Sequence, residues 1–491
     1  SAARIWAAAT GVTGRSPGPV HVNVQFEKPL EPTEVPGDVP DDLEETSVAG
    51  RAGGRPFTAL VGAVGAGAVG AGAVGAVAAG GAAGEHIARR LREAERPLLV
   101  CGPMLNEAAG HAVRACAARI GAPVLADPLS GARFGPGAVD VAVAWADAVL
   151  GTEAARLALR PDLVVRVGPA PTSATVNRFL EELDGVDHVD RVDQLVLDGG
   201  QRWKDHAGLA AEYVVADVAA ALNAAAELIE PGAAVEPAAS GPPVELIEPR
   251  PPDSAWRALW REASDAAGQV LEPLLAAGGE WFEGAVAAAA VRAIPEGGAL
   301  FVGNSMPIRD VDAFARPDDR SIRALGFRGA SGIDGNVSGA LGACAGTGAP
   351  TLALIGDLTL LHDVGALFAS RPEAAVQEAA IQIVVIQNRG GGIFHMLPIR
   401  DFDPPFIPHI VMPHDVDIGA VAGAAGIAHR LIESIEDLVA ELEAGWASGG
   451  IRIVEVRTDR EENHARRRAA LEAAAEAASE RLAAGQAGPA H

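Results

Sequence analysis

Short apolar runs alternate with helical stretches over residues 298–460, and this rhythm constrains the fold more than any other feature. "GALFVGNSM", "PTLALIGDL", "IQIVVIQNRGGGIF" and "GIRIVEVRTD" read as strands, with helices between them. Such runs suit strands covered on both faces, and strands that alternate with amphipathic helices form parallel sheets. The same rhythm runs through "RPLLVCGPM" (96–104), "AAGHAVRACAARIGAPVLAD" and "PDLVVRVG" (161–168). The expected class is α/β, with parallel sheets covered by helices.

At 491 residues the chain is long enough for about three domains. Residues 18–26, "GPVHVNVQF", alternate Val with polar residues and read as one half-buried strand. A lone strand cannot bury its face, so residues 1–35 read as the carboxyl-terminal remnant of a domain whose body lies upstream. Residues 36–95 read as linker plus a low-complexity insert, since "ALVGAVGAGAVGAGAVGAVAAGGAAG" (59–84) has no large apolar residue beyond Leu60. A middle α/β domain is expected over 96–230 and a Pro/Gly linker over 231–254. A second α/β domain follows over 255–470. Residues 471–491 have strong helix formers but no stripe of large apolar residues, and read as a solvated or fraying terminal helix.

The formal charge is −25, which disfavours nucleic acid and anionic membranes as partners. Lys28 and Lys204 are the only lysines. An acidic, Lys-poor surface suits high salt, which screens self-repulsion, although a GC-rich genome would give the same Arg and Ala bias. No apolar run looks like a membrane span and no targeting signal opens the chain, so a soluble cytoplasmic protein is expected. Cys101, Cys116 and Cys344 lack metal-ligand or redox spacing and read as buried small residues.

In open parallel sheets ligands gather at the carboxyl ends of the strands. There this chain carries "GNSMPIRD" (303–310), "GFRGASGIDG" (326–335), "GDLTLLHD" (356–363) and "QNRGGGIFHMLP" (387–398). Asp357 offers a carboxylate, Asn388 an amide oxygen and Gly390 a carbonyl, a hard oxygen set suited to Mg²⁺ completed by water and phosphate. Successive N–H groups of Gly390, Gly391, Gly392 and Ile393 could hold an anion. Each feature alone has a plain alternative, a helix cap or a loop; together at neighbouring strand ends they describe a metal-diphosphate clamp. Asp363 reads as a helix N-cap. Arg309 and Arg328 are suited to carboxylates, which guanidinium forks bind bidentately; the alternative is a surface ion pair.

A Gly-Asp pair after a strand, followed about thirty residues later by an Asn-Gly loop, resembles the motif of thiamine-diphosphate enzymes. The blocks "GNSMPIRD", "FRGASGIDGNVSGALG", "GDLTLLHDVGAL", "NRGGGIFHMLP" and "MPHDVDIGAVA" are similar to the 2-succinyl-5-enolpyruvyl-6-hydroxy-3-cyclohexene-1-carboxylate synthases of menaquinone biosynthesis. "GPVHVNVQFEKPLEP", "ADPLSGAR", "RWKDH" and "IRIVEVRTDREEN" match the same family, so the resemblance covers nearly the whole chain.

The resemblance implies a thiamine-diphosphate-binding fold with a middle Rossmann-like domain, assembled as a homodimer or homotetramer. It implies transfer of the succinyl unit of 2-oxoglutarate to isochorismate after decarboxylation. The cofactors would be thiamine diphosphate and Mg²⁺ or Mn²⁺, the metal held by Asp357, Asn388 and Gly390. Leu358, Thr359, Gly391, Gly392 and Ile393 would flank the diphosphate, and Ile333 would be the apolar wedge behind the cofactor. Arg309, Arg328, Ser305 and Phe394 would meet the substrates. The family's cofactor-activating Glu has no counterpart here, so the chain alone is expected to turn over little. The open alternatives are a binding subunit completed by a separate pyrimidine domain and a related 2-oxoacid decarboxylase. Ala174, Phe327, Gln387 and Arg389 depart from the family pattern. Arg389 could hold phosphate or face solvent. The middle domain has no GxGxxG, so no FAD or NAD is expected there.

Overall fold

The computed structural model describes residues 59–61, 81–104, 106–185, 191–199, 205, 207–229, 255–369 and 380–486. The strand expected at 18–26 and the 231–254 linker lie outside them.

Two six-stranded sheets, parallel throughout, organise the chain. The first is built from β1 (Ala59–Val61), β2 (Pro97–Cys101), β3 (Val124–Ala126), β4 (Leu163–Val167), β5 (Asp193–Leu197) and β6 (Glu212–Val214), in the order β1-β6-β5-β4-β2-β3. The second has β7 (Ala299–Val302), β8 (Arg323–Leu325), β9 (Thr351–Gly356), β10 (Ile381–Gln387), β11 (Ala428–Ile432) and β12 (Ile451–Arg457), ordered β11-β12-β10-β9-β7-β8. Every residue of β10 is buried, because helices cover both faces and leave no solvent side on which to alternate. Gln382 is accommodated there by donating to the Leu442 carbonyl at 2.6 Å.

Two expectations need correction. The stretch read as linker and insert contributes β1, which pairs with β6, and helix α1 (Gly81–Glu93), which buries Ala83, Ile87, Ala88 and Leu91. Alanines at helical spacing pack as well as they repeat, so simple composition did not mean an unpacked segment. The terminal segment is likewise packed. It belongs to a long helix (Arg460–Gln486) whose Ala470, Ala474, Ala478 and Leu482 form a buried stripe against the helix α2 (Ala255–Leu275). Small side chains let backbones approach closely. A Cβ added to Gly151 would sit 2.6 Å from that of Ala475.

In the second sheet the chain runs from β7 outward to β8, then returns to β9 and moves the opposite way through β10. The order reverses between β7 and β9, which opens a crevice at their carboxyl ends.

Candidate active site

The loops after β7 and β8, the ends of β9 and β10 and helices α3 (Glu283–Arg292), α4 (Met306–Phe314) and α6 (Asp357–His362) line that crevice, and α5 (Asn336–Thr347) follows the loop after β8. After β7, the buried Asn304 side chain donates to the Phe327 and Gly332 carbonyls, both at 2.7 Å, and accepts from Arg328 Nη1 at 2.6 Å. One amide thus ties the loop after β7 to the loop after β8 and sets Arg328 in place. Ser305 adopts φ +70°, outside the usual range for an L residue, and Arg309 Nη1 donates to its carbonyl at 2.7 Å. Burial holds Arg309 below the ordinary arginine range, and the neighbouring Arg328 charge acts the same way.

β9 delivers Asp357, buried at the start of α6. Its carboxylate accepts the Leu358 N–H at 2.6 Å and the Gly390 N–H at 3.1 Å, and His414 Nε2 lies 3.3 Å away. Burial pushes the Asp357 carboxyl above its usual value, while these N–H groups and His414 oppose the shift.

After β10, Arg389 and Gly390 take φ +61° and +140°. A Cβ on Gly390 would meet the Val411 carbonyl oxygen at 2.6 Å, so only glycine fits this turn. The turn folds inward and spends its donors. Gly390 N–H goes to Asp357, Gly391 N–H to the Val411 carbonyl at 2.7 Å, and Gly392 N–H to the Gly390 carbonyl at 3.0 Å. The expected run of successive N–H groups facing an anion is therefore corrected. Arg389 turns outward, its side chain largely exposed and 3.4 Å from Asp415.

A cavity of about 300 Å³ lies among these ends, lined by Ser305, Arg309, Ile333, Asp357, Leu358, Thr359, Asn388, Gly390, Gly391, Gly392, Ile393 and Phe394. Of the metal, cofactor and substrate residues that the resemblance implies, Arg328 alone falls outside this lining, one hydrogen bond away through Asn304. Asn388 donates Nδ2 to Glu283 at 2.9 Å, while its Oδ1 is buried without a hydrogen-bond partner among the described residues. A buried, unpaired amide oxygen beside a carboxylate and a free carbonyl lone pair is the donor set a hard divalent cation needs. The site residues thus fit Mg²⁺ or Mn²⁺.

Sequence reasoning missed Glu283 and the role of His414. Glu283 is fully buried in α3, lines the cavity and accepts from Asn388 and from Thr458 Oγ1, the latter at 2.9 Å. Burial pushes it up to about 7, the Asp310 and Asp357 charges add to the shift, and its two donors oppose it. The one signal was a carboxylate opening the apolar run "EGAVAAAAV". Asp363, expected as an N-cap for the residues after it, accepts from the Ser338 N–H at 2.7 Å in the first turn of α5. A larger cavity of about 600 Å³ between the sheets holds Glu107, Arg114 and Arg323, which are already paired with each other or with backbone carbonyls.

No family model matches the chain. It is 37% identical over 465 residues to the 2-succinyl-5-enolpyruvyl-6-hydroxy-3-cyclohexene-1-carboxylate synthase of Halobacterium salinarum, across 93% of this chain and 70% of that protein. The enzyme of the same name from Roseiflexus sp. is 35% identical over 468 residues, across 94% of this chain and 71% of that one. Among solved structures, benzoylformate decarboxylase from Polynucleobacter necessarius matches with a TM-score of 0.50 at 18% identity, across 77% of this chain and 64% of that chain. That last likeness concerns the fold alone.

Proposed function

This chain belongs to the 2-succinyl-5-enolpyruvyl-6-hydroxy-3-cyclohexene-1-carboxylate synthase family, and on that premise we propose that it decarboxylates 2-oxoglutarate with thiamine diphosphate and adds the succinyl unit to isochorismate. The observation that carries this reading is the convergence of Asp357, Asn388, Gly390 and Arg309 on one cavity, with Arg328 beside it.

Asp357, Asn388 Oδ1 and the Gly390 carbonyl would hold Mg²⁺ or Mn²⁺, with phosphate oxygens and water completing the shell. Thiamine diphosphate supplies, when bound, a carbon that takes up the electrons released as CO₂ leaves. The chain's own residues supply placement and field. Arg309 and Arg328 offer guanidinium forks that bind carboxylates bidentately, and both substrates carry two carboxylates for them to grip. Their mutual repulsion in the free site is relieved by an anion, so the pair favours a dicarboxylate over a neutral or singly charged compound. Ile333, Leu358, Ile393 and Phe394 provide the apolar wall. Exclusion of water there strengthens each charge interaction in the cavity.

A homodimer or homotetramer belongs to the same reading. Met396, Leu397, Phe402 and Met412 are exposed within the segment that continues from the cavity-lining Phe394, a surface that a second copy would cover.

The test is turnover of 2-oxoglutarate and isochorismate by the 491-residue chain with Mg²⁺ and thiamine diphosphate, alone and with the amino-terminal domain of a relative added. The succinylated product is expected in at least one arm. Folded protein that binds the cofactor yet forms no product in either arm overturns the assignment.

A further inference from the structure

Asn388 presents two chemically opposite ends of nearly the same shape. If its oxygen faces the cavity it attracts a cation; if its N–H₂ faces the cavity it repels one. Packing alone cannot choose, because the two orientations fill the same space. A neighbour of defined hydrogen-bonding sign can.

Glu283 is such a neighbour. Its Oε1 accepts from Asn388 Nδ2 at 2.9 Å and from Thr458 Oγ1 at 2.9 Å, and its own backbone N–H donates to Asn463 Oδ1 at 2.8 Å. Oε1 is thus an acceptor for two donors at once, and the end of Asn388 turned toward it is N–H₂. The oxygen is then left pointing away, buried and without a partner among the described residues. The following residues, Gly284 to Val291, are apolar and buried, and Glu283 Oε2 has no partner either. A buried carboxylate with one oxygen unsatisfied is costly, and such a cost within a core marks a site under functional constraint.

We propose that Glu283 is a positioning residue: it holds the Asn388 amide in the one orientation that presents Oδ1 to the divalent cation. The inference rests on the metal reading given above and deepens it. Residues 283, 388 and 458 meet only in the fold, where the start of α3, the end of β10 and the end of β12 come together.

The test uses Mn²⁺ as the probe, with the full chain and excess thiamine diphosphate, and follows free Mn²⁺ by electron paramagnetic resonance. In Glu283→Gln the new amide can turn its N–H₂ toward Asn388 and draw the Asn388 oxygen inward. Mn²⁺ affinity is expected to fall by about 10- to 100-fold, the range seen when partners that orient metal ligands are removed. In an Asn388→Ala background the same substitution is expected to change affinity little, because its effect travels through Asn388. Thr458→Val, which removes the hydroxyl sharing Oε1, is expected to act in the same direction and less. A purely structural role for Glu283 would instead lower the melting temperature of the metal-free protein and leave Mn²⁺ affinity alone. That pattern, or unchanged affinity in both Glu283→Gln and Thr458→Val, overturns the proposal. Asp357→Ala separates the two levels: if it also binds Mn²⁺ like the parent chain, the metal reading fails and this one with it.

Discussion

Asp357 and Gly390 stand 33 residues apart in the chain, yet the Asp357 carboxylate accepts the Gly390 N–H at 3.1 Å. The bond joins the end of β9 to the end of β10 and makes one clamp of two loops. Gly390→Ala should break it, since the added Cβ would press on the Val411 carbonyl at a φ of +140°. The strain is expected to cost about 1–3 kcal/mol. The upward shift in melting temperature given by Mg²⁺ with thiamine diphosphate should shrink or vanish. A variant that keeps the full shift would show that the turn does not form the clamp.

Arg309→Lys and Arg328→Lys keep the charge and lose the fork. A hydrogen bond to a charged group contributes about 1.5–3 kcal/mol, so kcat/KM for 2-oxoglutarate or isochorismate should fall about 10- to 150-fold. Measuring both substrates in turn assigns each guanidinium to one of them. Equal kinetics for both variants and the parent would remove the arginines from the substrate site.

Arg467, in the last long helix, reaches the fully buried Asp310 carboxylate at 3.0 Å. Arg467→Ala leaves that carboxylate buried and unpaired, which should cost about 3–5 kcal/mol. Replacing both partners, as in Arg467→Met with Asp310→Leu, should recover much of the loss. Urea unfolding of the three variants checks the ordering; a double variant no better than Arg467→Ala would contradict it.

Cys101, Cys116 and Cys344 are buried and unpaired with one another. Burial raises the Cys116 thiol to about 12 and raises Cys101 further. At pH 8 neither carries appreciable thiolate, the reactive form. A colourless thiol reagent that releases a chromophore should therefore titrate close to none of them in the native protein and three after unfolding. Rapid labelling of native protein would mean that a packed core region opens on the timescale of the assay.

The strands were legible because a strand covered on both faces is mostly apolar, as β4, β9 and β10 are, with the few buried polar side chains such as Arg166 and Gln382 finding partners inside the fold. The site residues were legible for a related reason, since a parallel sheet brings the residues after its strands to one edge. What escaped were features decided by approach rather than by composition. The alanine stripe of Arg460–Gln486 reads as helix propensity until α2 is seen against it. The N–H groups of Gly390 to Gly392 read as anion donors until Asp357 and Val411 are found using them. Glu283 was silent because Asn388, Thr458 and Asn463, which give it meaning, are far away in the chain.

The donor set proposed for the cation at the ends of β9 and β10 is one carboxylate, one amide oxygen and one backbone carbonyl. A single negative charge draws a doubly charged, strongly hydrated ion only weakly, and the diphosphate must bring the rest. On the proposed reading, metal and cofactor would be each other's effectors: whatever factor the ion adds to cofactor affinity, the cofactor would add to the ion's. Titrating either one at several fixed levels of the other should move both midpoints together, so that the protein counts the pair as a single ligand.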